Sequence, residues 1–361
     1  MDGHYTRLIR AAMQQPWAIT PAMAATITDI LRFRAAGGRL TAEELQARIG
    51  AADDSGRGAV RRQGLVAVLP IYGVIANRTF EASSGMTSAE TLGRALRTAV
   101  NDEEVSAILL DISSPGGTVD GVPELATEIF NARKVKPVVA IANAMAASAA
   151  YWLGSQADQL VVTPSGQVGS IGVFMLFEDW SEHLAKEGIK YEPISAGDNK
   201  LEGAFFAPMS EETRAHFQAS VDTVYADFLK AVARGRNTTV ADVKKNFGSG
   251  RVFDATDALA RGMVDRVETF DQTVARLMKA PRRASGARAE AGEGPVVVSM
   301  VGPSEAAVPH AEVVEPSAPE TAAVTPETSH PSETSAPAPV AQDQDAIDVV
   351  LALTEPAKDR G

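Results

Sequence analysis

Residues 105–121 read VSAILLDISSPGGTVDG, and three kinds of local structure follow one another in them. The run 105-VSAILLDI-112 is continuously apolar and of strand length. The Ser-Pro-Gly-Gly that follows predicts a tight turn, and 122-VPELATEIFNARK-134 has the apolar spacing of a helix. Strand, glycine turn and helix together open a βαβ unit. A continuous apolar run, as opposed to an alternating one, means that both faces of the strand are covered. That is the condition of a parallel sheet with helices on each side.

Working outward, the same alternation recurs. Strand-like runs stand at 65-LVAVLPIYGVI-75, 137-PVVAIAN-143, 159-QLVVTP-164 and 171-IGVFML-176. Helical patterns lie at 87–102 and 181–188, with a long amphipathic one at 210–237 opened by Ser210 as its cap. The expected fold class is α/β, a mainly parallel sheet flanked by helices, over residues 61–280. Residues 1–60 read as a helical leader. TDILRFRAAGG ends on a Gly pair, and 41-TAEELQARIG-50 carries a Thr-x-x-Glu capping box before a polar linker.

The 361-residue chain has no cysteine, which excludes disulfides, thiolate nucleophiles and Cys-based metal sites. Its net charge of -12 is unevenly spread, with -8 of it in residues 281–361. That tail holds 11 of the 20 prolines and no aromatic residue, a composition that cannot bury enough apolar surface to order itself. It is expected to be disordered, with a possible scaffold-type or docking segment at 345-DAIDVVLAL-353. No basic stripe points to nucleic acid. The opening MDGHYTRLIR has no apolar h-region, and 137–154 is too weakly apolar for a span, so neither a secretory signal nor a membrane partner is expected.

Two features bear on chemistry. The glycines of SPGG, at a strand's carboxyl end, leave backbone N–H groups able to point at a ligand, as an oxyanion hole requires; a plain turn is the other reading. Ser148 is a hydroxyl set among alanines in 143-NAMAASAAYWLGSQAD-158, one strand further on, where open α/β sheets place ligands. A serine nucleophile needs a base. His4 lies in the leader, His310 and His330 in the tail, and His183 and His216 on amphipathic helices, so a Ser-His-Asp triad is poorly supported. Lys200, in 194-ISAGDNKLEGAFFAPMS-210, could serve if desolvated, with Phe205 and Phe206 near it to exclude water; an exposed loop lysine is the other reading.

SPGG, NAMAASAAYWLGSQAD, VGSIGV and SAGDNK, in this order and spacing, resemble the signal peptide peptidase A family of Ser–Lys peptidases, which has the ClpP/crotonase-like fold. With 84-SGMTS-88, the helical leader and the Pro/Ala-rich tail, the chain more narrowly resembles phage capsid assembly (head maturation) proteases of the lambda type. The resemblance implies Ser148 as nucleophile, Lys200 as general base, Ser170 as the hydroxyl that orients the lysine, and the N–H groups of Gly116, Gly117 and Ala149 as oxyanion donors. It implies no cofactor and no metal. It implies a homo-oligomeric ring, with the lysine able to come from a neighbouring protomer. The implied substrates are phage scaffold, portal and major capsid proteins, and the chain itself, cut inside an assembling prohead in the host cytoplasm. No N-terminal anchor is expected from the opening residues, an expectation that would separate the chain from membrane-bound signal peptide peptidases. A soluble peptidase of that bacterial kind is the nearest alternative. A crotonase-like acyl-CoA enzyme, which would give Ser148 and Lys200 no role, and an inactive scaffolding protein are further ones.

Overall fold

The computed structural model describes residues 15–35, 40–41, 44, 61–78 and 86–279. In chain order the strands are β1 (Trp17–Ile19), β2 (Arg61–Gln63), β3 (Val66–Ala76), β4 (Thr87–Ser88), β5 (Ala107–Thr118), β6 (Val138–Ala147), β7 (Gln159–Val162), β8 (Gln167–Gly169), β9 (Val252–Asp254) and β10 (Arg266–Val267). The helices are α1 (Pro21–Ala35), α2 (Ala89–Asn101), α3 (Val122–Ala132), α4 (Ala149–Gly154), α5 (Ser181–Lys186), α6 (Glu211–Gly235), α7 (Val240–Asn246), α8 (Ala255–Ala260) and α9 (Phe270–Lys279).

The strands form one sheet in the order β10-β7-β6-β5-β3-β2. All neighbours on that path are parallel except β2 and β3. The short β8 runs parallel to the end of β6 and antiparallel to β9. This is the mainly parallel α/β sheet that the continuous apolar runs predict.

The sheet buries both faces because β5 alternates with period two. Ile108, Leu110 and Ile112 join Leu92, Leu96, Leu125, Ile129, Trp152 and Phe228 on one side. Ala107 and Leu109 join Val68, Val139, Ile141, Val161 and the α9 residues Val274 and Leu277 on the other. Trp152 and Phe228 stack at 4.4 Å and 9°, fastening α6 to the helix that begins after Ser148. Side-chain caps start the helices where the sequence places them: Ser88 accepts from Thr91 N–H, and Ser210 from Thr213 N–H.

Two expectations are corrected. Ser113–Thr118 is not a turn but the continuation of β5, because its backbone still pairs with β3, Val74 opposite Gly116 and Ile75 opposite Gly117. The irregularity expected there is absorbed as register shifts on both sides of the strand, with Gly116 at φ 103°. The run 171–176 is not a strand. Beyond Gly169 the pairing with β6 and β9 ends, and only Phe174 is bridged, to Trp17. In the leader, Thr41 and Glu44 form the expected capping box in both directions, at 2.9 and 3.1 Å. The remainder of that predicted helix, most of the linker and the tail from residue 280 lie outside the described residues.

Where β7, α6 and β10 meet, Asp265 accepts two hydrogen bonds from Arg236, both 2.8 Å, and one from Leu160 N–H at 2.7 Å. Burial alone would raise this carboxyl, but the Arg236 hydrogen bonds and charge, with the Leu160 N–H, hold it below the usual range. Its stabilisation is therefore present above the unfolded carboxylate value of about 3.9 and is lost as pH falls below it.

Three outcomes test this construction. Phe228→Ala removes one partner of the buried stack and should lower the unfolding free energy by about 3–5 kcal/mol in denaturant titrations. Asp265→Asn should flatten the acid limb of a stability-against-pH curve below about pH 4 relative to the unsubstituted chain. A Cβ on Gly117 would stand 1.8 Å from the Ile75 carbonyl oxygen, so Gly117→Ala should yield no soluble folded protein by gel filtration and circular dichroism.

Candidate active site

The carboxyl ends of β5, β6 and β8 meet at one place. β6 runs into α4 through Ser148, which stands at φ 56° and ψ -120°, a conformation that L residues rarely adopt. The strain is held by the neighbouring strand end: Ser148 N–H donates to Gly169 O at 2.8 Å. Ser170, the next residue, also has φ 56° and donates its N–H to Arg251 O at 2.7 Å. Two serines thus sit on adjacent strained turns, braced against one another through Gly169. Alanines at 146, 147, 149 and 150 are all fully buried, so the small residues of the stretch line a tightly packed turn.

Ser148 is 0% exposed, and its Oγ has no hydrogen-bond partner. An unpaired buried hydroxyl costs roughly 1–3 kcal/mol, so a purely structural residue here would be an apolar one. The turn into a helix also places Ala149 N–H in the first turn, where no intrahelical acceptor exists.

The glycines of β5 close the site on its other side. A Cβ on Gly116 would stand 2.9 Å from Ser148 Cβ, so the absence of a side chain is what lets β5 approach the serine. Gly116 N–H is engaged by Ser114 Oγ at 3.2 Å, whereas the antiparallel register turns Gly117 N–H toward the Ala18 carbonyl of β1.

The structure therefore brings Ser148, Ala149, Ser170, Gly116 and Gly117 together. It does not bring Lys200 to them. Lys200 N–H closes a turn to Gly197 O at 3.1 Å, and every residue from 185 to 201 is exposed. Since Ser148 Oγ has no partner, the Lys200 ammonium does not reach it within one chain. Phe205 and Phe206 pack on each other and on Tyr191 at 5.2–5.4 Å. His183 and His216 are exposed, as their helical spacing implies. Among the described residues, no group of three or more His, Asp or Glu side chains is placed to hold a metal ion. No helix among them is long and apolar enough to cross a membrane.

One contributor was missed in the sequence. Pro16–Thr20 lies against the β5 glycines, with Trp17 opposite Thr118, Ala18 opposite Gly117 and Ile19 opposite Gly116, all antiparallel. The only local signal was an apolar Trp-Ala-Ile held between Pro16 and Pro21, too short to read as a strand.

Comparison with known proteins points to one family. Residues 131–283 match peptidase family S49. A putative protease of Synechocystis sp. is 31% identical over 205 residues, covering 56% of this chain and 70% of the relative. Capsid assembly protease C of Escherichia phage lambda is 30% identical over 273 residues, covering 74% of this chain and 60% of the relative. Protease 4 of Haemophilus influenzae is 30% identical over 210 residues, covering 58% of this chain. The chain spans about a third of the length of that last relative and three-fifths of the lambda protein. With this family match, and a relative more than 30% identical that is covered over 70% of its length, the chain belongs to peptidase family S49.

Proposed function

We propose that the chain is a serine endopeptidase in which Ser148 is the nucleophile, Lys200 the general base and Ser170 the hydroxyl that orients the lysine. The N–H groups of Gly117 and Ala149 stabilise the developing oxyanion. The observation that carries this reading is Ser148 itself, a fully buried hydroxyl without a partner on a strained turn beside two bare glycines. Attack on a peptide carbonyl needs a nucleophile, a base and donors aimed at the oxyanion. In this reading one chain carries all of these but the base.

The base is the part that an oligomer supplies. Lys200 ends an exposed segment that also shows Ile189, Tyr191, Ile194 and Leu201 to solvent. A lysine accepts a proton only when neutral, and removal from water is what favours that form. Packing of this segment against a neighbouring copy in a homo-oligomeric ring both covers the apolar side chains and desolvates the ammonium next to a second Ser148. The substrates are phage scaffold, portal and coat proteins, cut within an assembling prohead in the host cytoplasm. The lambda phage relative favours this over a signal-peptide-peptidase role, because its alignment covers 74% of the chain against 58% for Protease 4 of Haemophilus influenzae.

Two experiments check the reading. Ser148→Ala should abolish processing of a coat or scaffold substrate while leaving the melting temperature unchanged or slightly higher, since it removes an unpaired buried hydroxyl. Equal processing by both proteins defeats the nucleophile assignment. Ser148→Ala and Lys200→Met should each be inactive alone, and mixing them before assembly should restore measurable turnover if the lysine acts across protomers. A mixture as dead as its components places the base within one chain.

A further inference from the structure

The strand β1 lies where an extended substrate has to lie, if Ser148 is the nucleophile as proposed above. Thr20 N–H donates to Pro115 O at 3.0 Å, and Val119 N–H to Pro16 O at 3.4 Å. These bonds bracket a continuous antiparallel register. Hydrogen-bonded pairs alternate along such a ladder, so the pair between them is Ala18 with Gly117. The Gly117 N–H, an oxyanion donor in the proposed mechanism, thus faces the Ala18 carbonyl.

Three further observations place that carbonyl beside the serine. The Ala18 carbonyl oxygen and Ser148 Cβ lie 2.2 and 2.9 Å from one point, the place of an imagined Cβ on Gly116. Trp17, Ala18 and Ile19 are buried, and Ser148 beneath them is 0% exposed. The far edge of β1 is gripped as well, Trp17 N–H donating to Phe174 O at 2.8 Å and Phe174 N–H to Trp17 O at 3.1 Å. A short extended segment bonded along both edges, with one carbonyl at the oxyanion donor, is the posture of a peptide bound by strand addition.

We propose that Pro16–Thr20 is an internal ligand of the substrate groove, which closes this chain over Ser148 and which a substrate in trans displaces. The groove takes an extended backbone antiparallel to Gly116–Val119, with a small residue where Ala18 stands. Because an outside peptide binds only the fraction of chains whose groove is open, its apparent affinity falls by that fraction. The strand is tethered through Pro21 to α1, so it competes at a high effective concentration.

The test uses the full-length protein in two independent arms. In the first, hydrogen exchange is followed in the Ser148→Ala chain. Amides of residues 17–20 should exchange by local opening, faster than those of 107–112 in the core of β5. Exchange of both sets only through global unfolding makes β1 a permanent strand and overturns the proposal. In the second arm, a quenched-fluorescence peptide with the sequence of residues 15–22 is offered to the unsubstituted chain and to Trp17→Ala and Ala18→Pro, each with Ser148 intact. Both loosened variants should raise kcat/KM on the order of tenfold, chiefly through KM, at an unchanged melting temperature. Unchanged or lower turnover at an unchanged melting temperature overturns the proposal. If a variant fails to fold, the exchange arm alone decides. Absence of turnover in all three proteins strikes the reading of Ser148 as nucleophile, and the exchange arm still decides whether β1 opens.

Discussion

The bare backbone of Gly116 and Gly117 is the constraint on which the site depends. On one side β3 comes so close that a Cβ at Gly117 would overlap the Ile75 carbonyl, and on the other Ser148 and Ala18 crowd the position of a Cβ at Gly116. Any side chain at either position would force β5 away from β3 or from the β6–α4 turn. The donors at the end of β5 and the serine at the end of β6 would then no longer share one crevice. Parallel pairing of β5 with β6 sets these ends level, and the glycines let them touch.

Strain and packing are matched around that contact. Ser148 and Ser170 both adopt positive φ, which costs of order 1–3 kcal/mol each and persists only where the surroundings over-determine it. Here the surroundings are the sheet itself, through Gly169 O and Arg251 O, and the stack of Trp152 on Phe228 directly behind the turn. The Ser148 half of the site is therefore built on rigid elements with two packed faces. The Lys200 half is built on residues 185–201, exposed throughout, with Tyr191 in aromatic contact with the half-buried Phe205 and Phe206.

The two halves differ in how legible they are in the sequence. The strand runs at 65–75, 105–112 and 137–143 were readable because a doubly covered parallel strand is apolar along its whole length. The caps at Ser210 and Thr41–Glu44 were readable because capping uses side chains three residues apart. The run 171–176 has the same composition as a strand but finds no neighbour to pair with, and composition carries no information about partners. SPGG reads as a turn by its residues and is a strand by its pairing, for the same reason.

By itself the sequence determined the layered α/β architecture and singled out Ser148 and the β5 glycines, since spacing, apolar periodicity and small residues are local properties; Ser170 entered only through the family resemblance. Only the tertiary structure decided that Ser148 is fully buried and unpartnered, that Gly116 N–H is spent on Ser114, that Lys200 stands apart in one chain, and that Trp17–Ile19 lies on the glycine edge. Each of these depends on which distant backbone approaches which. That approach is set by strand register across about a hundred residues of chain, from β1 to β5, and no local pattern records it.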